Sequence, residues 1–423
     1  MLQIAYLRDN KNEVIKRLEK RFYANAEQEV SQSIAFDNER KSIQLELDNI
    51  LRESNETAKI IGQLMKDGKK DDAELKKSRT AELKLKSKEL EEKLIDVEKQ
   101  LQDTIIKLPN LPHESVPTGR TPEENEIVFQ VDKLPELPET AIPHWDLIKK
   151  YDIIDFELGN KISGAGFPVY KGKGAKIQRA LINFFLDEAD KAGYYEVQPP
   201  ILVNAESGYG TGQLPDKDGQ MYFINEDNLY LIPTAEVPIT NLYRDVILKQ
   251  EELPVKVCGY TPCFRREAGS WGAHVRGLNR LHQFDKIEIV RIEMAENSYS
   301  ALIEMRNHIQ GLIEKLDLPF RILRLCGGDM GFTSALTYDF EVYSAAQKRW
   351  LEVSSVSNFE TFQANRLKLR YKDKEGKNQL LHTLNGSALA LPRILASILE
   401  NNQEEGKIRI PECLWKYTGF ESI

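Results

Sequence analysis

The chain has 423 residues and a formal net charge of −8, so it is long enough for more than one domain and too acidic to bind nucleic acid indiscriminately. It contains no apolar run of about 18 residues, and its first residues, MLQIAYLRDNKNEV, lack the apolar core of a signal peptide. The four cysteines form no Cys-x-x-Cys pair, so we expect no disulfide framework, no membrane span and a cytoplasmic location.

Residues 28–107 are nearly free of glycine and proline, which predicts two long helices. From Ile43 to Leu64, apolar or small residues recur at alternating steps of four and three, the spacing of a coiled-coil seam. The stretch KDGKKDDAE breaks the pattern around Gly68, and the seam resumes from Leu83 to Ile105. We therefore expect an antiparallel helical hairpin roughly 55–60 Å long, at ~1.5 Å per residue, within an N-terminal domain of residues 1–108.

Positive charge concentrates in the second half of this hairpin, in the stretch KKSRTAELKLKSK, which holds six basic residues and one acid. One interpretation is a solvated helix face, which such charge patterns usually form. The other is contact with the phosphates of a nucleic-acid backbone. The candidate contact residues are Lys76, Lys77, Lys84, Lys86 and Lys88.

The hairpin is followed by LPNLPHESVPTGRTPEEN, whose prolines fix φ and remove backbone donors. We therefore predict an extended linker over residues 109–135. In residues 136–423, strand-like segments such as VKVCGYTPCF alternate irregularly with helical ones such as AKIQRALINFFLDEADKAG. Several strands are close in sequence, which favours an α+β domain with an antiparallel sheet flanked by helices over βαβ winding.

The stretch FRREAGSWGAHVRG places basic residues around a turn-prone segment of this acidic chain. On a strand, Arg265 and Glu267 would share a face, so that the guanidinium could bind a phosphate and the carboxylate could accept from an exocyclic amine. Gly269–Gly272 would form the turn, and Arg276 and Arg280 would lie on the return strand. The alternative is a surface hairpin with a cross-strand ion pair.

Two later segments add to this pattern. LNGSALALPRILASILENNQ places small residues at the start of a predicted helix and one cation, Arg393, inside an apolar run. A buried cation needs a partner or an aromatic face, although an arginine can also extend to the surface. EVSSVSN alternates an acid and hydroxyls along a predicted strand, which suits a hard cation that also contacts phosphates, although serine-rich strands usually face water.

In this order, YYEVQPP, FRREAGS…HQF and NGSALALPR resemble motifs 1, 2 and 3 of the class II aminoacyl-tRNA synthetases. PTAEVP, GDMGF, TYDFEVY, EVSSVSN and NLPHESVPTG resemble the seryl-tRNA synthetase family, and the helical hairpin is similar to that family's tRNA-binding arm. The resemblance spans essentially the whole chain. It implies ATP-dependent attachment of L-serine to tRNA(Ser) through a seryl-adenylate, with tRNA(Sec) as a second candidate substrate.

The resemblance also implies roles for individual residues. Arg265 would hold the α-phosphate of ATP, Glu267 would accept from the adenine amino group, and Phe284 and Arg393 would stack on the two adenine faces. Mg²⁺ is the implied cofactor, held by Glu352 and Ser355, and no zinc is expected. The implied ATP-binding set is Arg265, Arg266, Glu267, Phe284, Glu352, Val353, Ser354, Ser355 and Arg393. The implied serine-binding set is Thr234, Ala235, Glu236, Arg265, Glu288, Asn385 and Ser387.

The family pattern further implies a homodimer, with motif 1 around Pro199 and Pro200 at its interface. The chain departs from that pattern in the loop Trp271–His274, which meets the tRNA acceptor end in the family, and at Ala388, where glycine is frequent. His282 could be a base, but a structural role is favoured. Two other functions stay open: a homologue that charges a carrier protein or makes a dinucleotide, and a catalytically inactive RNA-binding paralogue. The intact arm disfavours the first, and the complete set of site residues disfavours the second.

Overall fold

The computed structural model describes residues 1–216, 218–267 and 276–423, and these divide into two compact units, Met1–Pro109 and Asn110–Ile423. Both Gly269–Gly272 and the loop Trp271–His274, on which the sequence made predictions, lie outside the described residues. Within the described part of the chain, every helix is too short or too polar to cross a membrane.

The N-terminal unit is helical, and its two long helices form the predicted hairpin. Its helices are α1 (Ile4–Asp9), α2 (Lys11–Glu19), α3 (Ala26–Lys66) and α4 (Lys70–Ile105). The turn between the long helices uses Gly68 at φ +73°, a conformation that favours glycine. The seam between them is a cluster formed by Ile43, Leu47, Ile50, Leu83, Leu90 and Leu94. The heptad pattern therefore predicted the hairpin correctly.

The C-terminal unit combines a large sheet with helices and several short sheets. Its helices are α5 (His144–Lys150), α6 (Phe156–Ile162), α7 (Gly172–Lys191), α8 (Ala205–Thr211), α9 (Glu236–Asn241), α10 (Ser298–Lys315), α11 (Thr361–Leu367), α12 (Leu391–Asn401) and α13 (Trp415–Thr418). Its strands are β1 (Glu126–Gln130), β2 (Ile154–Asp155), β3 (Val169–Tyr170), β4 (Tyr195–Glu196), β5 (Leu202–Val203), β6 (Phe223–Ile224), β7 (Leu229–Leu231), β8 (Ile247–Lys249), β9 (Val255–Phe264), β10 (Gln283–Glu293), β11 (Phe320–Arg324), β12 (Leu336–Ser344), β13 (Arg349–Asn358), β14 (Arg370–Lys372), β15 (Asn378–Leu380), β16 (His382–Ala390), β17 (Gln403–Glu404) and β18 (Lys407–Ile408).

The main sheet has the strand order β1-β11-β12-β13-β16-β10-β9-β4. Its neighbouring strands are antiparallel except for the short parallel pair β4 and β9 at one edge. Helices α7, α10 and α12 contribute many of the buried apolar residues that pack against it, among them Phe185, Ile309 and Leu395. The observed architecture confirms the predicted α+β class with an antiparallel sheet flanked by helices.

The proline-rich segment after the hairpin belongs to the C-terminal unit from Asn110 onward, and it contains a 3₁₀ turn, Pro122–Glu124. The backbone N of Asn110 donates to Phe332 O at 2.9 Å, and that of His113 donates to Ala335 O at 2.8 Å. Further along, β1 pairs with β11 and forms one edge of the main sheet. Residues 110–135, which the sequence analysis predicted as part of a linker, therefore belong to the fold of this unit.

The strand prediction for Arg265–Glu267 was wrong. β9 ends at Phe264, and Glu267 lies at φ +49°, in the left-handed region, which a strand cannot accommodate. The return segment also differs, because Gly277–Asn279 forms a 3₁₀ turn and β10 begins only at Gln283. Arg276 and Arg280 consequently flank a turn instead of lying on a strand.

The prediction that a helix begins near Gly386 was also wrong. Residues 382–390 form β16, a central strand between β13 and β10, and α12 begins at Leu391. Pro392 explains the boundary, because proline lacks the backbone N–H that a helix interior needs and fits only in the first turn. Gly386 fits a close strand contact, since a Cβ there would lie 3.0 Å from Val356 Cγ2.

Candidate active site

One cavity of about 170 Å³ collects most of the residues that the sequence assigned to ATP. It lies where the end of β9, the 3₁₀ turn, β10, β13 and α12 meet. The predicted residues that line it are Arg265, Glu267, Phe284, Glu352, Val353, Ser354, Ser387 and Arg393. The cavity therefore contains cations that can bind phosphates and an aromatic ring on which a nucleobase can stack. It also contains carboxylates that can accept from an amine or bind a metal ion.

Arg393 extends from α12 into the lining of the cavity, where two backbone carbonyls accept hydrogen bonds from its guanidinium. Its Nε donates to Asn279 O at 3.0 Å, and its Nη1 donates to Glu352 O at 2.6 Å. The carboxylate of Glu352 is farther away, with 3.9 Å between Arg393 Nη1 and Oε2. Because carbonyls do not neutralise the guanidinium, its positive charge is available to a ligand.

Arg265 and Glu267 also line this cavity. Arg265 Nε donates to Pro233 O at 3.2 Å, and its guanidinium lies 5.2 Å from the centre of the Phe284 ring. Glu267 Oε2 is 2.9 Å from Arg280 Nη1 and forms an ion pair with it. Although Glu267 is not on a strand, the Arg–Glu combination still lines one cavity.

A second group of polar residues, beside Arg265, is buried and acidic. Thr234 Oγ1 donates to Glu288 Oε2 at 3.0 Å and accepts from Lys286 Nζ at 2.7 Å. Lys286 Nζ is also 2.6 Å from Glu288 Oε2, in a pair that is almost fully buried. Ser387 faces this pair across the strands, because it lies opposite Glu288 in the β10–β16 ladder.

Glu236 completes this group from the start of α9. Its Oε1 accepts from Gln363 Nε2 at 2.6 Å, and Gln363 is oriented by Thr383 Oγ1, which donates to Oε1 at 2.7 Å. Burial and the neighbouring Glu288 carboxylate raise the pKa of Glu236 to about 7, against the opposing effects of Gln363, Lys286 and the Asn385 amide. Asn385 Nδ2 is buried beside this carboxyl and makes no hydrogen bond of normal geometry among the described residues. The group thus offers carboxylates to an ammonium and an amide donor to a hydroxyl.

The predicted metal pair lies on β13. Ser355 Oγ donates to Asp339 Oδ1 of the neighbouring β12. Burial and the carboxylate of Glu352 raise the pKa of Asp339 well above its ordinary value. Over the described residues, no cluster of three or more His, Cys, Asp or Glu side chains is arranged to hold a metal ion by itself. Glu352, Ser355 and Asp339 nevertheless supply oxygen donors and excess negative charge in one place.

The structure leaves some predicted residues apart from the cavity and adds others. Arg266 is exposed, and Ala235 is buried beneath the acidic group. His282 stacks on Phe167 with 5.4 Å between ring centroids, and its Nδ1 is 3.0 Å from the Tyr222 hydroxyl and 3.1 Å from Arg265 O. The site residues that sequence reasoning missed are Lys286, Gln363, Asp339 and Asn279. The alternation of HQFDKIE was a signal for Lys286, whereas the others depend on contacts between distant segments.

The candidate nucleic-acid contacts of the N-terminal unit are all on the surface. Lys76, Lys77, Lys84, Lys86 and Lys88 are exposed on α4. Lys77 Nζ is 2.9 Å from Glu74 Oε2, and Lys86 Nζ is 2.9 Å from Glu46 Oε1 on α3. The other three form no ion pair with the described residues, so their charge is available to a partner.

Comparison with known proteins identifies the family of this chain. A family model of the seryl-tRNA synthetase N-terminal domain matches residues 1–112, and a model of the class II core domain of the G, H, P, S and T synthetases matches residues 222–402. The serine–tRNA ligase of Salinibacter ruber is 50% identical over 392 residues, which cover 92% of both chains. The chain belongs to the seryl-tRNA synthetase family. The serine–tRNA ligase of Chlorobium phaeovibrioides is 44% identical over 100% of this chain and 99% of its own.

Solved seryl-tRNA synthetases share the fold over the whole chain. The enzyme from Pyrococcus horikoshii, complexed with ATP, superposes with a TM-score of 0.93 at 32% identity and covers 100% of this chain and 99% of its own. The cytoplasmic serine–tRNA ligase of Naegleria fowleri, in complex with AMP, gives a TM-score of 0.87 at 26% identity, with 100% and 98% coverage. This similarity extends the family assignment to both units of the chain.

Proposed function

We propose that this protein attaches L-serine to tRNA(Ser) in an ATP-dependent, two-step reaction through a seryl-adenylate. One observation carries the proposal: Arg265, Glu267 and Arg393 line one cavity beside the buried acidic group of Glu236 and Glu288, in a chain of the seryl-tRNA synthetase family. Phosphate and adenine contacts therefore adjoin a pocket suited to an ammonium.

In the first step, a serine carboxylate oxygen attacks the α-phosphorus of ATP, and the bond to pyrophosphate breaks. Arg265 and Arg393 neutralise the charge that develops on the phosphates, while the carboxylates of Glu236 and Glu288 hold the serine ammonium. In the second step, a 3′-terminal tRNA hydroxyl attacks the activated carbonyl, and AMP leaves. Positioning and charge neutralisation supply the catalysis, so neither step requires a nucleophilic side chain.

The pocket also offers a basis for selecting serine. Glu236, Asn385 and Ser387 form its polar end in our proposal, in which the Asn385 amide, which makes no hydrogen bond of normal geometry among the described residues, donates to the serine hydroxyl. A pocket that binds a hydroxyl rejects an analogue without one, because its own polar groups then stay unpaired. Alanine is therefore excluded by chemistry and threonine by lack of room.

Mg²⁺ fits the carboxylates on β12 and β13. Glu352 and the Ser355 hydroxyl would hold it, and Asp339 would lie behind them. Burial first, and then the neighbouring carboxylate of Glu352, raise the pKa of Asp339, and a divalent cation bound there would favour its ionised form. When bound, Mg²⁺ would neutralise phosphate charge, and it usually takes few protein ligands because it keeps waters and binds substrate phosphates.

The α3–α4 hairpin binds tRNA in this proposal. Its exposed lysines offer charge to phosphates, and binding of this kind weakens steeply with salt. Charging assays with transcripts of tRNA(Ser) and tRNA(Sec) test whether the second is also a substrate. Failure to charge tRNA(Ser) would contradict the proposal.

We also propose a homodimer that uses the segment around Pro199 and Pro200. Exposed apolar residues on both sides of this segment in the sequence support it, since Tyr195 on β4, an edge strand of the main sheet, is 74% exposed and Leu202 on β5 of a smaller sheet is 38% exposed. Light scattering at micromolar concentration should give a mass of about two chains. A single-chain mass would exclude the dimer.

Serine-dependent exchange of labelled pyrophosphate into ATP tests the proposed function most simply. We expect exchange with serine and much less with alanine, threonine or glycine. An enzyme that activates another amino acid for a carrier protein would respond to that amino acid instead, and an inactive RNA-binding paralogue would respond to none. Either result would overturn the proposal.

A further inference from the structure

A buried hydrogen-bond network centred on Glu400 lies behind the ATP cavity. Glu400 and His144 are both fully buried. Glu400 Oε1 accepts from the backbone N of His144 at 2.8 Å, from His144 Nδ1 at 2.6 Å and from Gln347 Nε2 at 2.9 Å, and Oε2 accepts from Ser344 Oγ. Burial alone would raise the pKa of Glu400, but the hydrogen bonds from His144 and Ser344 hold it below its ordinary value. The carboxylate is therefore a fixed, ionised acceptor.

Two routes connect this carboxylate to the 3₁₀ turn Gly277–Asn279. Because His144 Nδ1 donates to Glu400, the Nε2 atom is an acceptor, and Leu278 N donates to it at 2.8 Å. Independently, Asn279 Nδ2 donates to Gln347 Oε1 at 3.2 Å, and Gln347 donates to Glu400. His144 also explains the glycine in the turn: Gly277 lies at φ +66°, and a Cβ there would be 2.3 Å from His144 Nε2.

The same 3₁₀ turn is connected to Arg393 and Glu267, two residues that line the ATP cavity. Leu278 and Asn279 line it, and Asn279 O accepts from Arg393 Nε at 3.0 Å. The next residue, Arg280, forms the ion pair with Glu267 at 2.9 Å. Arg393 and Glu400 are seven residues apart on α12, about two helical turns or ~10 Å, so one helix holds the turn at two points.

We propose that His144 is a positioning residue for the nucleotide. By accepting from Leu278 N while Glu400 fixes its tautomer, it holds the 277–280 segment where Arg393 and Glu267 can bind ATP. His144 lies outside the lining of the cavity, so it acts through the turn and not on the substrate. This inference rests on the proposed function, because it concerns the affinity for ATP in serine activation.

Two substitutions at His144 separate its two hydrogen bonds. In His144→Gln, the longer side chain can place an acceptor near the position of Nε2, so the bond from Leu278 N is retained. In His144→Asn, the shorter side chain can still donate to Glu400 but cannot reach the turn. The readout is serine-dependent pyrophosphate exchange by the full chain, with KM for ATP and KM for serine measured separately and Tm measured in parallel.

We expect His144→Asn to raise KM for ATP by up to about tenfold, the effect of one buried hydrogen bond, with KM for serine nearly unchanged. His144→Gln should restore KM for ATP to near the wild-type value even if both variants lower Tm equally.

Equal effects of the two variants on KM for ATP, or parallel rises in KM for ATP and for serine, would show that His144 is merely structural and would overturn the inference. If the asparagine variant is insoluble, Gly277→Ala decides, because a Cβ there would lie 2.3 Å from His144 Nε2 and would push the turn away from the histidine: a selective rise in KM for ATP supports the inference, and an unchanged KM overturns it. Wild-type protein without serine-dependent exchange would instead refute the proposed function itself.

Discussion

The two units of this chain place their functional charges in opposite environments. In the N-terminal hairpin, the lysines of α4 are exposed, and apolar residues such as Leu47 and Leu90 form the buried seam between the two helices. In the C-terminal unit, Lys286, Glu288 and Glu236 are buried: Lys286 and Glu288 form an ion pair with each other, and Glu236 accepts a hydrogen bond from Gln363. Exposed charge gives long-range, salt-dependent attraction with little geometric precision, whereas buried charge is strong and fixed. In our proposal, the hairpin therefore supplies affinity for tRNA and the C-terminal unit supplies chemistry and selection.

The largest expected effect of a single substitution is at Arg265. Arg265→Ala should lower kcat/KM for pyrophosphate exchange by roughly 10²–10³-fold, the usual effect of removing one preorganised donor to a developing charge. Arg265→Lys should recover only part of the loss, because an ammonium cannot bind a phosphate through two parallel hydrogen bonds. The affinity for tRNA should not change. A loss of less than tenfold for the alanine variant would contradict the role of Arg265 at the α-phosphate.

The next effect is at Glu236, where charge can be removed with little change in shape. Glu236→Gln should raise KM for serine much more than KM for ATP, because the carboxylate pairs with the ammonium. Glu236→Ala should also reduce the preference for serine over alanine if Glu236 helps to recognise the hydroxyl. If the alanine variant loses activity equally with both amino acids, Glu236 serves only the ammonium that they share.

The raised pKa of Glu236 gives this site a pH signature. With a pKa of about 7 in the empty pocket, the carboxylate must lose a proton to bind the ammonium, so KM for serine should fall about tenfold between pH 6 and pH 8. In Glu236→Gln that dependence of KM on pH should disappear.

The same shift predicts how the stability of the folded protein depends on pH. Because the pKa of the folded carboxyl lies above its ordinary 4.5, folding favours the protonated form, and the stability that Glu236 contributes is lost as pH rises through 7. Ligand-free Glu236→Gln should therefore have a higher Tm than wild type at pH 8 and a similar Tm at pH 4.

A smaller and more graded effect is expected from the hairpin lysines. Replacing all five with glutamine should weaken tRNA binding and lower the slope of log K against log salt by roughly 0.7–0.9 for each lost phosphate contact. Lys76, Lys84 and Lys88 should account for more of the change than Lys77 and Lys86, which already pair with glutamates. Pyrophosphate exchange should not change. An unaltered salt slope would show that these lysines form only a solvated face.

The two units also differ in how much of their structure depends on contacts between distant residues, and this difference explains what the sequence could predict. The hairpin follows from a repeat that is visible within any short window, and its break at Gly68 is local as well. The segment around Gly386 was assigned to a helix because its composition is apolar and small, yet burial between β13 and β10 makes it a strand, and that pairing joins distant parts of the chain. Sheet pairing of this kind overrides local propensity.

The active site shows the same limit at the level of single residues. Motif residues such as Arg265 and Arg393 could be assigned from the family resemblance, and the cavity brings them together. Gln363 could not, because its importance rests on a hydrogen bond to Glu236 across 127 positions of sequence. His144 and Glu400 are 256 positions apart and carry no local pattern that marks their contact.

The division of labour between the two units is tested most directly by removing residues 28–107 and measuring two activities on the same preparation. Tyr23 Oη donates to Lys107 O at 3.2 Å, so the ends of the deletion are close and a short glycine–serine linker can join them. Circular dichroism and thermal unfolding establish that the shortened chain folds. We predict serine-dependent pyrophosphate exchange near the wild-type rate and no detectable charging of tRNA(Ser). Loss of exchange in the folded variant, or charging at the wild-type rate, would contradict the account.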